Sequence, residues 1–267
     1  MSFLDELPER YRLILCDLWG CVHDGWTVFP GVVERLRQWQ DEGRTVIFLT
    51  NAPRTGEAVQ RQLDSIGLPP GLHQGIATAG EAGAAALVGK PVGFCGTPDD
   101  RRNLEARGLV FVEEGYSELA CAGIERHETV ADYLDDLARW RSADVLMHCL
   151  NPDRIVIHQG ATLVCAGALA DTYEEMGGEV RWYGKPYASV YDYALGLAGS
   201  PPKEQVLAVG DGLQTDVLGA ALYGIDCVFV QGGIHAGEGF PADFSQRHGL
   251  NGWQPLAVVE SLGQAKA

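Results

Sequence analysis

The chain has 267 residues, 46% of them hydrophobic and 21% charged, which excludes a disordered or low-complexity protein and admits one large domain or two smaller ones. Twenty Lys and Arg stand against 36 Asp and Glu, a formal charge of −16. No basic patch is visible, so neither nucleic acid nor an anionic membrane surface is an expected partner.

From the N-terminus, Leu13–Cys16 reads as a strand ending at Asp17, a helix follows over about 31–42, and Thr45–Leu49 is a strand ending at Thr50-Asn51. A helix over 55–65 leads to a plausible hinge at Thr78-Ala79-Gly80. Beyond it come strands at 91–95, 109–112 and 144–147, helices near 98–107 and 129–140, and a hairpin of 155–157 with 162–165 around Gln159-Gly160. A second hinge is placed at Gly177-Gly178. The chain then returns to a helix over 187–199, a strand at 206–209 ending in Gly210-Asp211-Gly212, a helix over 213–223 and a strand at 225–230. Short apolar runs alternating with helices predict an α/β protein with a doubly wound parallel sheet. The expected organisation is a core from residues 1–79 and 179–267, with an inserted α/β cap domain at 80–178.

Seven cysteines form no CxxC pair, and several lie inside apolar runs, so they are expected to be buried free thiols. The start, MSFLDELPERYR, lacks the basic region and apolar stretch of a signal peptide, and no apolar run approaches the roughly 20 residues that span a bilayer. A soluble cytoplasmic protein is expected, and a homodimer is compatible with it.

In an open parallel sheet, ligands bind beyond the carboxyl ends of the strands. Asp17, Thr50, Asn51 and Asp211 stand at those ends, with Asp216 one helical turn further on. Carboxylates converging there would repel one another, and Mg²⁺ suits an oxygen-lined site of this kind. Thr50, Asn51 and the helix after them offer a hydroxyl and N–H groups to an anion, and Lys185 could add positive charge. Together they suit phosphoryl transfer. Singly, Asp17 is also a turn former, Thr50-Asn51 a helix cap, Lys185 a surface residue and Gly210-Asp211-Gly212 a tight turn.

The sequence resembles the haloacid dehalogenase superfamily, subclass IIA, in the NagD-like phosphatase branch that carries a large α/β cap. The resemblance runs through Asp17-Leu18-Trp19-Gly20-Cys21-Val22, Thr50-Asn51, Gly184-Lys185-Pro186, the segment from Gly210 to Asp216, and the cap residues Asn151-Pro152-Asp153 and Cys165-Ala166-Gly167-Ala168. It implies that Asp17 is a nucleophile forming an aspartyl-phosphate. It implies that Thr50, Asn51 and Lys185 hold phosphoryl oxygens, and that Mg²⁺ sits on Asp17, Asp211, Asp216 and the backbone carbonyl of Trp19. Asn151 and Asp153 of the cap are the expected substrate contacts.

The chain departs from the family pattern at one position. The family's general acid/base is an aspartate two residues after the nucleophile, and here that residue is Trp19. Indole has no proton to exchange at neutral pH, so an acid–base contribution of about 10²–10⁴ in rate should be missing. His23 and Asp24, in the loop that follows, are the candidate substitutes.

The expected function is therefore a Mg²⁺-dependent phosphatase of a small phosphorylated metabolite, slowed or altered by Trp19. Two rivals remain: an impaired family member that binds a phosphorylated ligand or a protein, and a metal-free dehalogenase using the same Asp17. Clustered Asp211 and Asp216 argue against the latter.

Overall fold

The computed structural model describes residues 2–158, 161–232 and 239–263. The chain divides into two compact units: one of Met1–Thr50, Gln60–Ala77 and Lys185–Ala267, the other of Asn51–Val59 and Thr78–Gly184.

The first unit is built on a six-stranded sheet. In spatial order its strands are Ala257–Val259, Asp226–Val230, Val206–Gly210, Leu13–Cys16, Thr45–Thr50 and Gly75–Thr78. The pairings from Ala257–Val259 across to Thr45–Thr50 are all parallel. All four residues of Leu13–Cys16 and all five of Val206–Gly210 are buried, as expected of central strands covered on both faces. The helix Val32–Asp41 buries Val32, Arg35, Leu36 and Trp39, the i, i+3, i+4, i+7 stripe of an element lying on a core. Arg35 is fully buried yet satisfied: it donates to the carbonyls of Leu4 and Leu262 and pairs with Asp5, tying both ends of the described chain to this helix. The chain leaves Leu13–Cys16 in one direction along the sheet and returns on its other side at Val206–Gly210. The strand order therefore reverses between these two neighbours.

The second unit has a five-stranded sheet, all its pairings parallel, in the order Val180–Trp182, Leu146–Cys149, Glu118–Cys121, Pro91–Cys95 and Val110–Phe111. Its core packs Leu119, Leu137, Trp140, Met147, Leu169 and Tyr173. Ile155–His158 and Ala161–Val164 form an antiparallel pair. The tip expected between them, Gln159-Gly160, lies outside the described residues, as does His235.

Several expectations change. One division between the units falls just before Thr78. Its Oγ1 accepts from Glu81 N–H and donates to the Arg54 carbonyl, capping the helix Ala79–Leu87. A Cβ on Gly80 would lie 2.1 Å from the Pro53 carbonyl oxygen, so this helix start is packed tight. The division at the far end falls after Gly184 rather than at Gly177-Gly178, where a Cβ on Gly178 would strike the Tyr173 ring. The helix expected over 129–140 opens as a 3₁₀ turn, Val130–Tyr133, and continues as Leu134–Ser142. Asp144 then takes a left-handed φ of 50°, which delays the next strand to Leu146–Cys149. The helix expected over 213–223 begins as a π-helical turn, Leu213–Val217, before Leu218–Tyr223. All seven cysteines are buried and free. Among the described residues, no helix is long and apolar enough to cross a membrane.

Candidate active site

The reversal of strand order puts Asp17 and Asp211 side by side. Asp17 follows Leu13–Cys16, and its N–H donates to the Val209 carbonyl of the neighbouring strand at 2.8 Å. Asp211 follows Val206–Gly210. A switch point of this kind is where an open α/β sheet leaves a crevice for ligands. Gly20 lets the two loops close up: its φ is +77°, and a Cβ there would sit 1.9 Å from Asp211 Oδ2. Gly210 does the same for Asp216, whose Cγ would meet a Cβ at 2.1 Å.

Lys185 lies just before the helix Ala188–Leu197, with a cis peptide to Pro186. It is 3% exposed, and its Nζ donates to Asp17 Oδ1 at 2.5 Å and to Asp216 Oδ1 at 2.8 Å. The other oxygen of Asp216 accepts from Gly212 N–H at 3.1 Å and from Thr215 Oγ1 at 3.2 Å. The π-helical turn thus aims Asp216 at the lysine. Thr50, buried at the end of Thr45–Thr50, completes the same unit's strand-end row.

Burial raises the Asp17 pKa to about 7; Asp211 adds to the rise and Lys185 opposes it. Burial likewise raises Asp216 to about 6, with Asp17 pushing the same way and Lys185 against. Burial alone would lower Lys185, but the two carboxylates outweigh it and hold the ammonium charged. Asp17 and Asp216 share the Lys185 ammonium, and Asp211 lies buried beside them, a crowding of carboxylates that a cation or proton would relieve. One oxygen each of Asp17 and Asp211 and the Cys21 sulfur lie within 4.8 Å of one another. Two converging buried carboxylates fit a divalent cation such as Mg²⁺. Asp216 was expected among its ligands, but it belongs to the lysine and is not one of these converging atoms.

The loop after Asp17 carries the remaining candidates. Trp19 is half-buried; its indole meets the His23 ring edge-on, with centroids 5.4 Å apart, and fills the space where Gly25 lacks a side chain. His23 is 1% exposed, its Nδ1 accepts from Gly25 N–H at 2.9 Å, and burial lowers its pKa to about 4. Asp24 is exposed, with Oδ1 accepting from the N–H groups of Trp26 and Thr27, which hold its pKa below the usual carboxylate value. Both expected substitutes are thus committed to shaping the loop.

Asn51, Asn151 and Asp153 come together within the second unit. Asn51 Nδ2 donates to Asp153 Oδ1 at 2.8 Å, and Asp153 N–H donates to Asn151 Oδ1 at 3.1 Å. Asn151-Pro152-Asp153 forms an Asx turn, which fixes a carboxylate and an amide beside each other. Cys21 was overlooked in the sequence. The available signal was its place four residues after Asp17 in a glycine-containing turn, which brings a side chain back toward the strand end.

Two family models match the chain, a haloacid dehalogenase-like hydrolase model over residues 14–110 and a HAD-hydrolase-like model over residues 182–265. A solved haloacid dehalogenase-like hydrolase from Brucella suis 1330 is 31% identical, covers 97% of this chain and 98% of its own, and superposes with a TM-score of 0.82. The ribonucleotide monophosphatase NagD of Escherichia coli (strain K12) is 27% identical over 242 residues, 83% of this chain and 88% of NagD. A p-nitrophenyl phosphatase from Archaeoglobus fulgidus is 25% identical, covers 94% of this chain and 97% of its own, and has a TM-score of 0.79. The chain belongs to the haloacid dehalogenase-like hydrolase family. Within it, the chain is an enzyme of the NagD-like branch.

Proposed function

We propose that the chain is a Mg²⁺-dependent phosphatase that transfers the phosphoryl group of a small phosphate monoester to Asp17 and then to water. The observation that carries this reading is the convergence of Asp17, Asp211 and Lys185 at the switch point of the sheet. Similarity to a ribonucleotide monophosphatase and to a p-nitrophenyl phosphatase favours a phosphate monoester as substrate.

Asp17 and Asp211, with the Trp19 carbonyl, would hold the cation, which supplies positive charge to the phosphoryl oxygens when bound. Lys185 holds Asp17 in place through one hydrogen bond and brings an ammonium to the transferring group. Asp216 fixes the lysine, and Thr50 offers a hydroxyl to a phosphoryl oxygen. An Asp17 oxygen attacks phosphorus, the P–O bond to the alcohol breaks, and the leaving oxygen must find a proton. Trp19 cannot give one, and neither His23 nor Asp24 is set up to do so. Water must therefore protonate the leaving group and later attack the aspartyl-phosphate without a carboxylate to activate it. Good leaving groups should react well in the first step, while the second is slow for all of them. Asn51, Asn151 and Asp153 are the polar residues proposed to read the rest of the substrate.

A panel of phosphorylated metabolites and p-nitrophenyl phosphate, assayed with and without Mg²⁺, tests the reading. Phosphate release should need the cation and should vanish in Asp17→Asn. Hydrolysis that is indifferent to both would refute it.

A further inference from the structure

The turn that carries Asp17 also brings a thiol to the same place. Cys21 is 1% exposed, and its Sγ lies no more than 4.8 Å from a carboxylate oxygen of Asp17 and one of Asp211. Among the described residues, this is the one cluster of three or more His, Cys, Asp or Glu whose ligand atoms converge so closely. The turn is held on both sides of Cys21: Gly20 N–H donates to the His23 carbonyl at 3.0 Å, and Val22 N–H donates to the Leu18 carbonyl at 2.8 Å. The backbone that carries the sulfur is therefore held in place beside the two carboxylates.

Mg²⁺ takes oxygen ligands and has no use for a thiol. Borderline and soft cations do use one, and they accept mixed sulfur and carboxylate donors. With Zn–S near 2.3 Å and Zn–O near 2.1 Å, a tetrahedral ion would hold sulfur and oxygen about 3.5 Å apart. The three donor atoms lie within 4.8 Å of one another, so small side-chain rotations suffice to bring them to about that spacing. A Thr or Val at position 21 would offer no such ligand, so the residue type at this position decides which cations the site can grip.

We propose that Cys21, Asp17 and Asp211 form a thiophilic cation site, which binds Co²⁺, Zn²⁺ or Cd²⁺ through the Cys21 sulfur and in competition with Mg²⁺. The inference rests on the reading of Asp17 and Asp211 as the cation-holding carboxylates. On binding, one metal–sulfur bond forms, the S–H bond breaks, the proton passes to the buffer, and no electrons are transferred. Because the two carboxylates are shared, such a cation displaces Mg²⁺ instead of adding to it.

Co²⁺ titrated into the metal-free protein provides the test, read by the thiolate-to-cobalt charge-transfer band in the near ultraviolet. Mg²⁺ binding is followed separately by the shift in melting temperature. Wild type should develop the band, saturate at a single equivalent, and lose the band in a large excess of Mg²⁺. Cys21→Ser should abolish the band and weaken Co²⁺ binding by about tenfold or more, while the Mg²⁺ midpoint stays within about twofold. Cys21→Ala serves if the serine variant does not fold, and Asp211→Asn should weaken both cations whatever the cysteine variants do. A Mg²⁺ shift in wild type without any cobalt band would overturn the proposal and leave the phosphatase reading intact. A band that persists in Cys21→Ser would assign it to another thiol and also overturn the proposal, as would a Co²⁺ midpoint that Asp211→Asn leaves unchanged. Wild type that binds neither cation would remove the cation reading of Asp17 and Asp211 itself.

Discussion

Gly25 donates its backbone N–H to His23 Nδ1 at 2.9 Å. An N–H can only donate, so Nδ1 carries the lone pair and Nε2 carries the hydrogen. The basic nitrogen of His23 is thereby spent on the turn, and burial holds the ring neutral, with its pKa lowered to about 4. His23 is a structural part of the loop beside Trp19, and the carboxylate missing at position 19 has no replacement in it.

The first prediction concerns the leaving group. Rates of phosphoenzyme formation should fall steeply from aryl to alkyl phosphates, because no side chain protonates the departing oxygen. His23→Gln keeps an acceptor for Gly25 N–H and should leave that dependence unchanged. Trp19→Asp should raise alkyl phosphate turnover, by up to about 10²–10⁴ if the carboxylate reaches its position. Melting curves must accompany that variant, since Trp19 packs on Gly25. A dependence that becomes steeper in His23→Gln than in wild type would show that the histidine handles protons after all.

Lys185 is the single ammonium bonded to both Asp17 and Asp216, and all three side chains are buried. Removing it in Lys185→Met leaves two buried carboxylates uncompensated, a loss of about 3–5 kcal/mol. The carboxylates can escape by taking up protons, so the deficit should be largest above about pH 8 and shrink toward about pH 5. Denaturant titrations of the metal-free proteins at both pH values provide the check. A deficit that does not change with pH would mean the carboxylates are not what the lysine neutralises.

Gly20→Ala places a methyl group 1.9 Å from Asp211 Oδ2, at a φ of +77° where an L-residue is already strained. We expect about 1–3 kcal/mol of lost stability from the backbone. Asp211 should also be displaced, seen as a weaker Mg²⁺-induced rise in melting temperature. An unaltered Mg²⁺ response would place Asp211 outside the cation site.

His148 offers a separate test in the second unit. It is fully buried, with Nδ1 3.0 Å from Tyr183 Oη and Nε2 2.8 Å from Glu118 Oε2. Burial lowers its pKa below the usual 6.5, as Arg181 and Lys90 also do; Glu118 only partly opposes them. A histidine kept neutral in the fold contributes stability that is present above its unfolded pKa and lost as pH falls through and below about 6.5. Between about pH 7.5 and about pH 5, wild type should therefore lose melting temperature faster than His148→Phe. Parallel slopes would assign the acid sensitivity elsewhere, with His73, also lowered by burial, the next to replace.

The strands that carry the site were legible because they are buried on both faces. Leu13–Cys16 and Val206–Gly210 are unbroken apolar runs that end on the aspartates they position. Glu118–Cys121 and Val180–Trp182 were missed because four and three residues, begun by or interrupted with a charge, give no period to detect. The same limit applied at the site. Asp17, Asp211, Lys185 and Asp216 could be named, but pairing between Lys185 and Asp216 depends on a π-helical turn that no spacing rule anticipates. The Cys21 sulfur was hidden for a similar reason, since the course of the turn that carries it is set by the hydrogen bonds of Gly20 and Val22. His23 looked like a base from its ordinary pKa and its place in the loop after Asp17, and only its bond to Gly25 shows where the lone pair goes.

The most direct measurement is rapid-quench peptide mass spectrometry of the enzyme mixed with p-nitrophenyl phosphate and Mg²⁺. If Asp17 is the nucleophile and Trp19 leaves hydrolysis unaided, nitrophenolate should appear in a burst. Over the same interval, one phosphoryl group should accumulate on the peptide that contains Asp17 and then decay at the steady-state rate. Asp17→Asn should show neither. Sustained turnover in Asp17→Asn, or rapid turnover in wild type with no phosphoryl group on that peptide, would contradict the mechanism.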